Sequence, residues 1–392
     1  MAHQNANAYA DLSWGGAKNL AATTTDARRK LYLKLFSGEL FKGFQRNTIA
    51  RDLITKRTLK NGKSLQFIFT GRTKAEYHVP GQNIMGNTDG APPVSEVTIE
   101  CDDLLISSAF VYELDETLAH YDLRGEISRK IGYALAENYD RRIFRAVSNA
   151  ARLAAPISQT NFKEPGGTQV RVGTNAEFKD AYDPTALVNA FYDAAAALDE
   201  KGVSGEGRVG VLNPRQYYEL IQGVGGSGSG AYLINRDEQG DALQSGNGIL
   251  EIAGIKIYKS MNIPFFGKSG TIYGTSEGTT DAGVADPGNS GSFVGEAMVD
   301  QDANATPDGQ KTVNEYGAAS EFANSCGLIF QKEAVGCVEA IGPQVQVTSG
   351  DVSVIYQGDV ILGRLAMGAK PLNPAAAVEL FAGTATKPAA FG

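Results

Sequence analysis

A proline-free stretch from about Asp115 to Ser148 constrains the fold of this chain more than any other feature. It begins with acidic residues and carries three arginines near its end, an arrangement that the helix dipole favours. Apolar side chains recur at every fourth position, at Ile127, Ile131, Leu135, Tyr139, Ile143 and Val147. At about 1.5 Å per residue the predicted helix is on the order of 50 Å long, which indicates a flat or elongated body.

Two alternating runs predict a long β-hairpin ahead of this helix. In LQFIFT, which starts at Leu65, apolar side chains face one way, and EVTIEC, which starts at Glu96, has the same period. The segment between the runs is dense in Gly, Pro and Asn. Because an isolated two-stranded hairpin is marginal in water, it needs a surface to lie on, and an oligomeric neighbour is one candidate.

Further elements predict an α+β fold with two lobes. The first thirty residues read as an extended or partly disordered arm, and a short helix is expected between Arg28 and Phe44. A second lobe opens with a helix from Pro184 to Lys201, and RVGVLNPRQYYELI reads as a strand, a turn and a helix. Strands are predicted in IAGIKIYKS, GLIFQKEAVGCVEAI and VSVIYQGDVILGRLAMG, the last of which returns to close the sheet.

Composition is that of a globular protein. The 392 residues exceed what one core usually holds, and 42% are hydrophobic and 20% charged. We expect neither a signal peptide nor a membrane span, since no apolar run is long enough. The odd cysteine count, Cys101, Cys326 and Cys337, favours reduced thiols in the core over a disulfide framework.

Charge is unevenly distributed along the chain. Between Arg28 and Lys74 there are thirteen Lys and Arg residues and two acids, so this segment has a net charge of +11. The whole chain has a net charge of −8. The basic residues are spread among apolar ones rather than clustered into a tail. A nucleic-acid arm and binding to the acidic body of an identical copy both remain open, and we favour the second because every copy offers that surface.

Motifs typical of enzymes lack their partners here. Both GKS triplets, at Gly62 and Gly267, miss the glycine that a phosphate-binding loop needs five positions earlier. GTSEG around Ser276 matches a nucleophile elbow, but no histidine follows it. GNSGS around Ser290 is similar to a protease serine loop, although neither His78 nor His120 lies in a recognisable protease setting. We therefore expect no catalytic, cofactor-binding or metal-binding residues.

Several blocks together resemble a known family. They are LYLKLFSGELFKGFQR, GKSLQFIFTGRTKAEYHVPGQN, ELDETLAHYDLRGEISRKIGYALAE, RVGVLNPRQYYELI and LAMGAKPLNPAAAVELF. In this number, order and spacing they are similar to the major capsid proteins of T-seven-like short-tailed phages, which adopt the Hong Kong 97-type capsid fold. The loops between Gly274 and Ala323 are the least comparable part.

The resemblance implies a division of the chain. The expected parts are an N-terminal arm at 1–55, an E-loop hairpin at 56–103, a peripheral domain with a spine helix at 104–182, an axial domain at 183–339, a peripheral return strand at 340–368, and a C-terminal segment at 369–392 that packs back on the axial domain. It also implies that the hairpin lies across a neighbouring subunit, for which the contact candidates are Lys63, Arg72, Lys74, Glu76 and Tyr77.

The function so implied is self-assembly, as hexamers and pentamers, into an icosahedral head that encloses double-stranded DNA. Expected partners are a scaffolding protein, a portal protein and packaged DNA that is bound without sequence specificity, with assembly in the host cytoplasm and no membrane. Two alternatives stay open: a serine hydrolase built on Ser290, and another virion component such as a tail or fibre protein.

Overall fold

The computed structural model describes residues 49–71, 77–81, 94–101, 104–112, 123–156, 164–174, 178–222, 250–264, 324–347 and 357–389. Both helices and strands are present, which confirms the prediction of a mixed fold. The helices within these ranges are α1 (Ala50–Leu53), α2 (Leu123–Arg152), α3 (Pro184–Glu200) and α4 (Pro214–Gln222), together with 3₁₀ turns at Phe178–Tyr182 and Pro374–Ala376. The arm and the helix predicted between Arg28 and Phe44 lie outside the described residues.

The strands are β1 (Thr55–Thr58), β2 (Ser64–Thr70), β3 (Val94–Glu100), β4 (Leu104–Tyr112), β5 (Thr168–Arg171), β6 (Arg208–Leu212), β7 (Leu250–Ile252), β8 (Ile255–Lys259), β9 (Ser325–Gln331), β10 (Val335–Val347), β11 (Gly358–Pro371) and β12 (Ala377–Phe381). IAGIKIYKS and GLIFQKEAVGCVEAI therefore each contribute to two strands joined by a tight turn. The predicted final strand corresponds to β11, whose described part starts at Gly358.

The chain divides into two compact units. Among the described residues, one comprises Cys101–Asn138 and Glu339–Met367, and the other comprises Thr48–Glu100, Tyr139–Val338 and Gly368–Gly392. Three elements, α2, β10 and β11, continue from one unit into the other along the chain. The units are thus built from interleaved segments rather than from consecutive halves.

The long helix is present and buries the predicted ridge. Its described part runs from Leu123 to Arg152, four residues past the expected end at Ser148, because the next breaker is Pro156 and alanines continue the helix. Ile127 is half-buried, and the other ridge positions are buried: Ile131, Leu135, Tyr139, Ile143 and Val147. The predicted start at Asp115 lies outside the described residues.

The larger unit contains a six-stranded sheet in the order β5-β12-β9-β6-β8-β7. β12 is parallel to β5 and β6 is parallel to β8, while β9 is antiparallel to both β12 and β6. α3 packs against the strands at both edges of this sheet. Asp183 starts the helix, since its carboxylate accepts a hydrogen bond of 3.1 Å from the Thr185 amide and Pro184 occupies the first turn.

A four-stranded sheet has the order β1-β10-β11-β4. β11 and β4 are antiparallel, with Gly358 opposite Tyr112 and Ala366 opposite Leu104. Gly363 in β11 lies directly against α2, because a Cβ at this position would be 2.3 Å from Ile131 Cγ2. Glycine is therefore required by the close approach of strand and helix.

Candidate interaction surface

β2 and β3 form an antiparallel hairpin of their own, separate from the other sheets in the described chain. This confirms the two predicted strands. Opposed residues share a face, so Leu65 and Ile99 lie on the same side as Phe67 and Val97. On this inner face the side chains are half-buried or, for Ile99, fully buried.

The inner face is anchored from β1. The Arg57 guanidinium lies over the Phe67 ring, 5.0 Å from the ring centroid, at a distance at which a cation is attracted to the ring face. Arg57 is itself exposed. The contact fixes the root of the hairpin while the charge remains in water.

The outer face presents apolar side chains to solvent. Ile68 is 74% exposed and Val94 is 65% exposed. Ile68 is opposite Glu96, whose carboxylate accepts a hydrogen bond of 3.5 Å from the Gln66 amide. We define Gln66, Ile68, Val94 and Glu96 as the outer face; it combines a small apolar area with a polar border, as interaction surfaces do.

The five predicted contact residues fall in and around the hairpin loop. Lys63 directly precedes β2 and is exposed, and Tyr77 is fully exposed beside the exposed Val79. Arg72, Lys74 and Glu76 lie outside the described residues. Two of the five are therefore placed at the surface of the hairpin segment, and their contacts with another molecule stay a prediction.

The root of the hairpin is basic. Exposed cations occur there at Arg51, Lys56, Arg57, Lys60 and Lys63. Asp52 is the single acid between residues 49 and 71, and its carboxylate lies 3.8 Å from the Lys56 ammonium. An exposed pair of this kind contributes little to stability, so this surface carries a net positive charge.

A buried carboxylate on α2 holds the segment that leads into the hairpin. Asp140 accepts hydrogen bonds from the backbone amides of Ile49 and Ala50, at 3.0 and 3.1 Å, and from the side-chain amide of Asn262, at 3.3 Å. Asp140 is fully buried. Its carboxylate accepts hydrogen bonds from amides at the start of α1, which have no partner within that helix. The sequence analysis did not predict this role of Asp140, because an acid within a helix gives no sign of a partner 90 residues away.

A second buried acid was also missed. Glu379 in β12 is bonded by Arg152 at the end of α2, at 2.6 and 2.7 Å, and neither side chain is exposed. The Ser325 hydroxyl donates a further hydrogen bond of 2.7 Å to the same carboxylate. A charge within the apolar run AVELF was the available signal, since buried acids are almost always paired.

Among the described residues of the larger unit, Cys326 and Lys201 have displaced pKa values. Burial, and secondarily the Glu379 carboxylate, raise the pKa of the Cys326 thiol well above 9.0. Burial, and secondarily the Lys387 charge, lower the pKa of Lys201, whose ammonium donates to the Gly166 carbonyl and the Thr168 hydroxyl. All three cysteines are free thiols.

Of the residues weighed as catalytic, His78 alone lies within the described part of the chain. His78 is exposed next to Tyr77. Ser276, Ser290 and His120 lie outside the described residues. Among the residues that the structure describes, no three His, Cys, Asp or Glu side chains are grouped as metal ligands. No described helix has the length and hydropathy to cross a bilayer.

Known proteins resemble this chain along most of its length. The major capsid protein of Escherichia phage T7 is 25% identical over 352 residues, which cover 88% of this chain and 90% of that protein. The capsid structure of cyanophage P-SCSP1u has a TM-score of 0.65 at 29% identity, covering 95% of this chain and 98% of that one. The mature capsid of bacteriophage PhiM1 has a TM-score of 0.59 at 13% identity, covering 95% and 98%, and so shares the fold.

The predicted resemblance is thereby confirmed. The family described as Gp10A-like, major capsid protein, matches residues 67–306. This region begins within β2, includes α2 and α3, and spans more than half of the 392 residues. The chain belongs to the Gp10A-like family of phage major capsid proteins.

Proposed function

We propose that the chain assembles with copies of itself, as hexamers and pentamers, into an icosahedral head that encloses double-stranded DNA. Membership of the major capsid protein family and the coverage of solved phage capsids support this proposal. As a phage major capsid protein, the chain is a structural component of the virion. On this proposal the role of the chain is structural rather than catalytic. The two alternatives, a serine hydrolase built on Ser290 and a tail or fibre protein, are not favoured.

We assign the parts of the Hong Kong 97-type fold by sequence range. The arm is 1–55, the E-loop is 56–103, the peripheral domain is 104–182 with α2 as the spine helix, the axial domain is 183–339, the return strand is 340–368, and 369–392 is the C-terminal segment. The two-stranded β2–β3 hairpin within 56–103 and the long helix within 104–182 support this assignment.

The observation that carries the proposal is the outer face of the hairpin. Ile68 and Val94 are large apolar side chains that remain mostly in water on a ribbon of only two strands. Full burial of such a side chain stabilises by about 1.5–3 kcal/mol, so a contact that covers both is favoured. A second copy is the occupant that a shell supplies at every position.

Charge supports the same occupant. The root of the hairpin is basic, whereas the remainder of the chain, outside 28–74, is strongly acidic. Opposite charges steer identical copies into register, and a like-charged orientation is penalised. We propose that Lys63, Tyr77, Arg72, Lys74 and Glu76 contact the neighbouring copy.

The remaining partners follow from the same role. We propose a scaffolding protein during assembly in the host cytoplasm, a portal protein at one vertex, and packaged DNA without sequence-specific contacts. The acidic balance of the chain supports DNA that is packaged without tight binding, because tight sequence-independent binding needs many basic residues that neutralise the phosphates.

The test places charge on the outer face. Ile68→Asp combined with Val94→Asp removes the apolar contact and adds two carboxylates, which is expected to lower particle yield by about tenfold or more. Sedimentation of particles after expression with the scaffold measures the yield, and thermal melting measures the folding of the free subunit.

Two matched controls separate contact from charge. Ile68→Val with Val94→Ile exchanges the two apolar side chains and should preserve assembly. Ala196→Glu adds a carboxylate at an exposed position of α3, outside the hairpin and its basic root, and should also preserve it. Normal particles from the double aspartate variant would refute the proposal.

A further inference from the structure

The chain that follows β12 is held mainly through its backbone. Ala385, Thr386 and Lys387 are exposed, yet two carbonyls near them accept hydrogen bonds from the interior. Arg152 Nη1 donates to the Ala389 carbonyl at 3.0 Å, and Gln169 Nε2 donates to the Pro388 carbonyl at 2.9 Å. We call residues 384–389 the strap.

Both donors belong to the buried cluster around Glu379. Arg152 uses Nε and Nη2 for the carboxylate and Nη1 for the strap, while Nη2 also donates to the Ser325 hydroxyl at 3.1 Å. Gln169 Nε2 donates to Glu379 Oε2 at 3.1 Å as well as to the strap. Each donor therefore connects the strap to the same carboxylate.

We propose that the strap is a closing device that keeps the Arg152–Glu379 pair dry and thereby holds the last turn of α2 on the six-stranded sheet. With the strap in place, neither side chain of the pair is exposed. Once it lifts, Arg152 Nη1 loses its carbonyl partner and water reaches the pair. Water weakens the attraction between the two charges, because their interaction scales inversely with the local dielectric constant.

The strap is built to open locally. Its side chains contribute little apolar burial, and its turn is closed by a hydrogen bond from the Thr386 amide to the Thr384 hydroxyl, at 3.1 Å and exposed. Segments with few buried apolar contacts open at lower free energy than the core does. By contrast, Ala382 and Gly383, which directly follow β12, are buried. We therefore place the hinge of the strap at Gly383, whose φ is +74°.

The consequence is a mechanical connection between the C-terminus and the long helix. α2 is one of the elements that continue from one compact unit into the other, and Arg152 is its last residue. Lifting the strap therefore loosens the end of α2 without breaking any strand pairing of the sheet. This inference concerns a conformational device in one subunit and stands whether or not the hairpin contact proposed above is correct.

The experiment measures amide hydrogen exchange of the free subunit by mass spectrometry. A chain that ends at Gly383 lacks both strap carbonyls, so peptides covering 147–153 should exchange about tenfold faster than in the full chain. The peptide covering β6 should exchange at an unchanged rate, because β6 is fully buried and contributes no residue to the cluster.

A full-length variant keeps the test decisive if the shortened chain does not fold. Pro388→Gly with Ala389→Gly leaves every side chain of the cluster in place and favours the open strap entropically, so an increase of about threefold is expected at 147–153. Lys387→Ala is the control, since its exposed side chain is not part of the cluster, and it should leave this exchange unchanged.

Two outcomes would overturn the inference. Unchanged exchange at 147–153 in the glycine variant would mean that the strap does not hold the end of α2. Equal acceleration at 147–153 and in β6 would mean that the strap contributes only to global stability.

Discussion

Arg152 at the end of α2 and Glu379 in β12 form a fully buried bidentate ion pair between residues 227 positions apart in the chain. The two hydrogen bonds, at 2.7 and 2.6 Å, use the planar geometry of the guanidinium. Such a pair is more informative about specificity than about net stability, because desolvation of both charges offsets much of their attraction. It defines which strand the helix end must meet.

A double-mutant cycle should reveal this dependence. Arg152→Met leaves the Glu379 carboxylate buried without its cation, and we expect the free energy of unfolding to fall by about 3–5 kcal/mol. Adding Glu379→Leu should recover much of that loss, since no unpaired charge remains. Urea unfolding of the free subunit measures both changes. Asp199→Ala, which removes a largely exposed partner of Arg208, is the control and should lower the free energy of unfolding by at most about 1 kcal/mol.

Asp140 should control the order of the segment that leads into the hairpin. Asp140→Ala leaves the amides of Ile49, Ala50 and Asn262 without this acceptor, and we expect a loss of about 1–3 kcal/mol in unfolding free energy. Amide exchange at Ile49 and Ala50 should accelerate more than exchange in β6. Asp52→Ala removes an exposed acid of the same helix and should leave these rates nearly unchanged.

The sequence predicted those helices and strands in which apolar residues repeat at a regular spacing. Leu135 and Ile143 repeat at helical spacing, and Phe67 and Val97 alternate, because each element buries one face and its own residues record it. The strand β12, by contrast, contains a charge that local reasoning excludes from a core. Glu379 is buried there because Arg152 and Ser325 reach it from distant segments, and such pairings leave no periodic trace in one sequence.

The residues of the candidate interaction surface were likewise predicted only in part from the sequence. Exposed Lys63 and Tyr77 could be assigned to the hairpin from its alternating strands. Ile68 and Val94 were not selected as contacts, because alternation alone does not say which face of a ribbon stays in water. That choice depends on distant segments that cover the inner face, where Arg57 lies over Phe67 and Ile99 is fully buried.

Stability should depend on pH through Cys326. Because burial raises the pKa of its thiol in the folded chain, the unfolded chain loses this proton first as pH rises. The stabilisation is complete below about pH 9 and is lost progressively as pH rises toward the folded pKa. Above about pH 9, the unfolding free energy of the unmodified protein should therefore fall more steeply with pH than that of Cys326→Ala. Parallel pH curves for the two proteins would contradict this assignment.

The contact between Gly363 and α2 should tolerate no side chain unless the helix yields. A Cβ in Gly363→Ala would lie 2.3 Å from Ile131 Cγ2 and 2.8 Å from Leu135 Cδ1, so overpacking should lower the unfolding free energy by about 1–3 kcal/mol. Ile131→Ala removes the nearer methyl group, and adding it to Gly363→Ala should destabilise less than the sum of the single changes, with a coupling of about 0.5–3 kcal/mol. Gly342→Ala, in the same unit with open space around its Cβ, is the matched control. Additive single and double changes in urea unfolding would show that a side chain at position 363 does not press against Ile131.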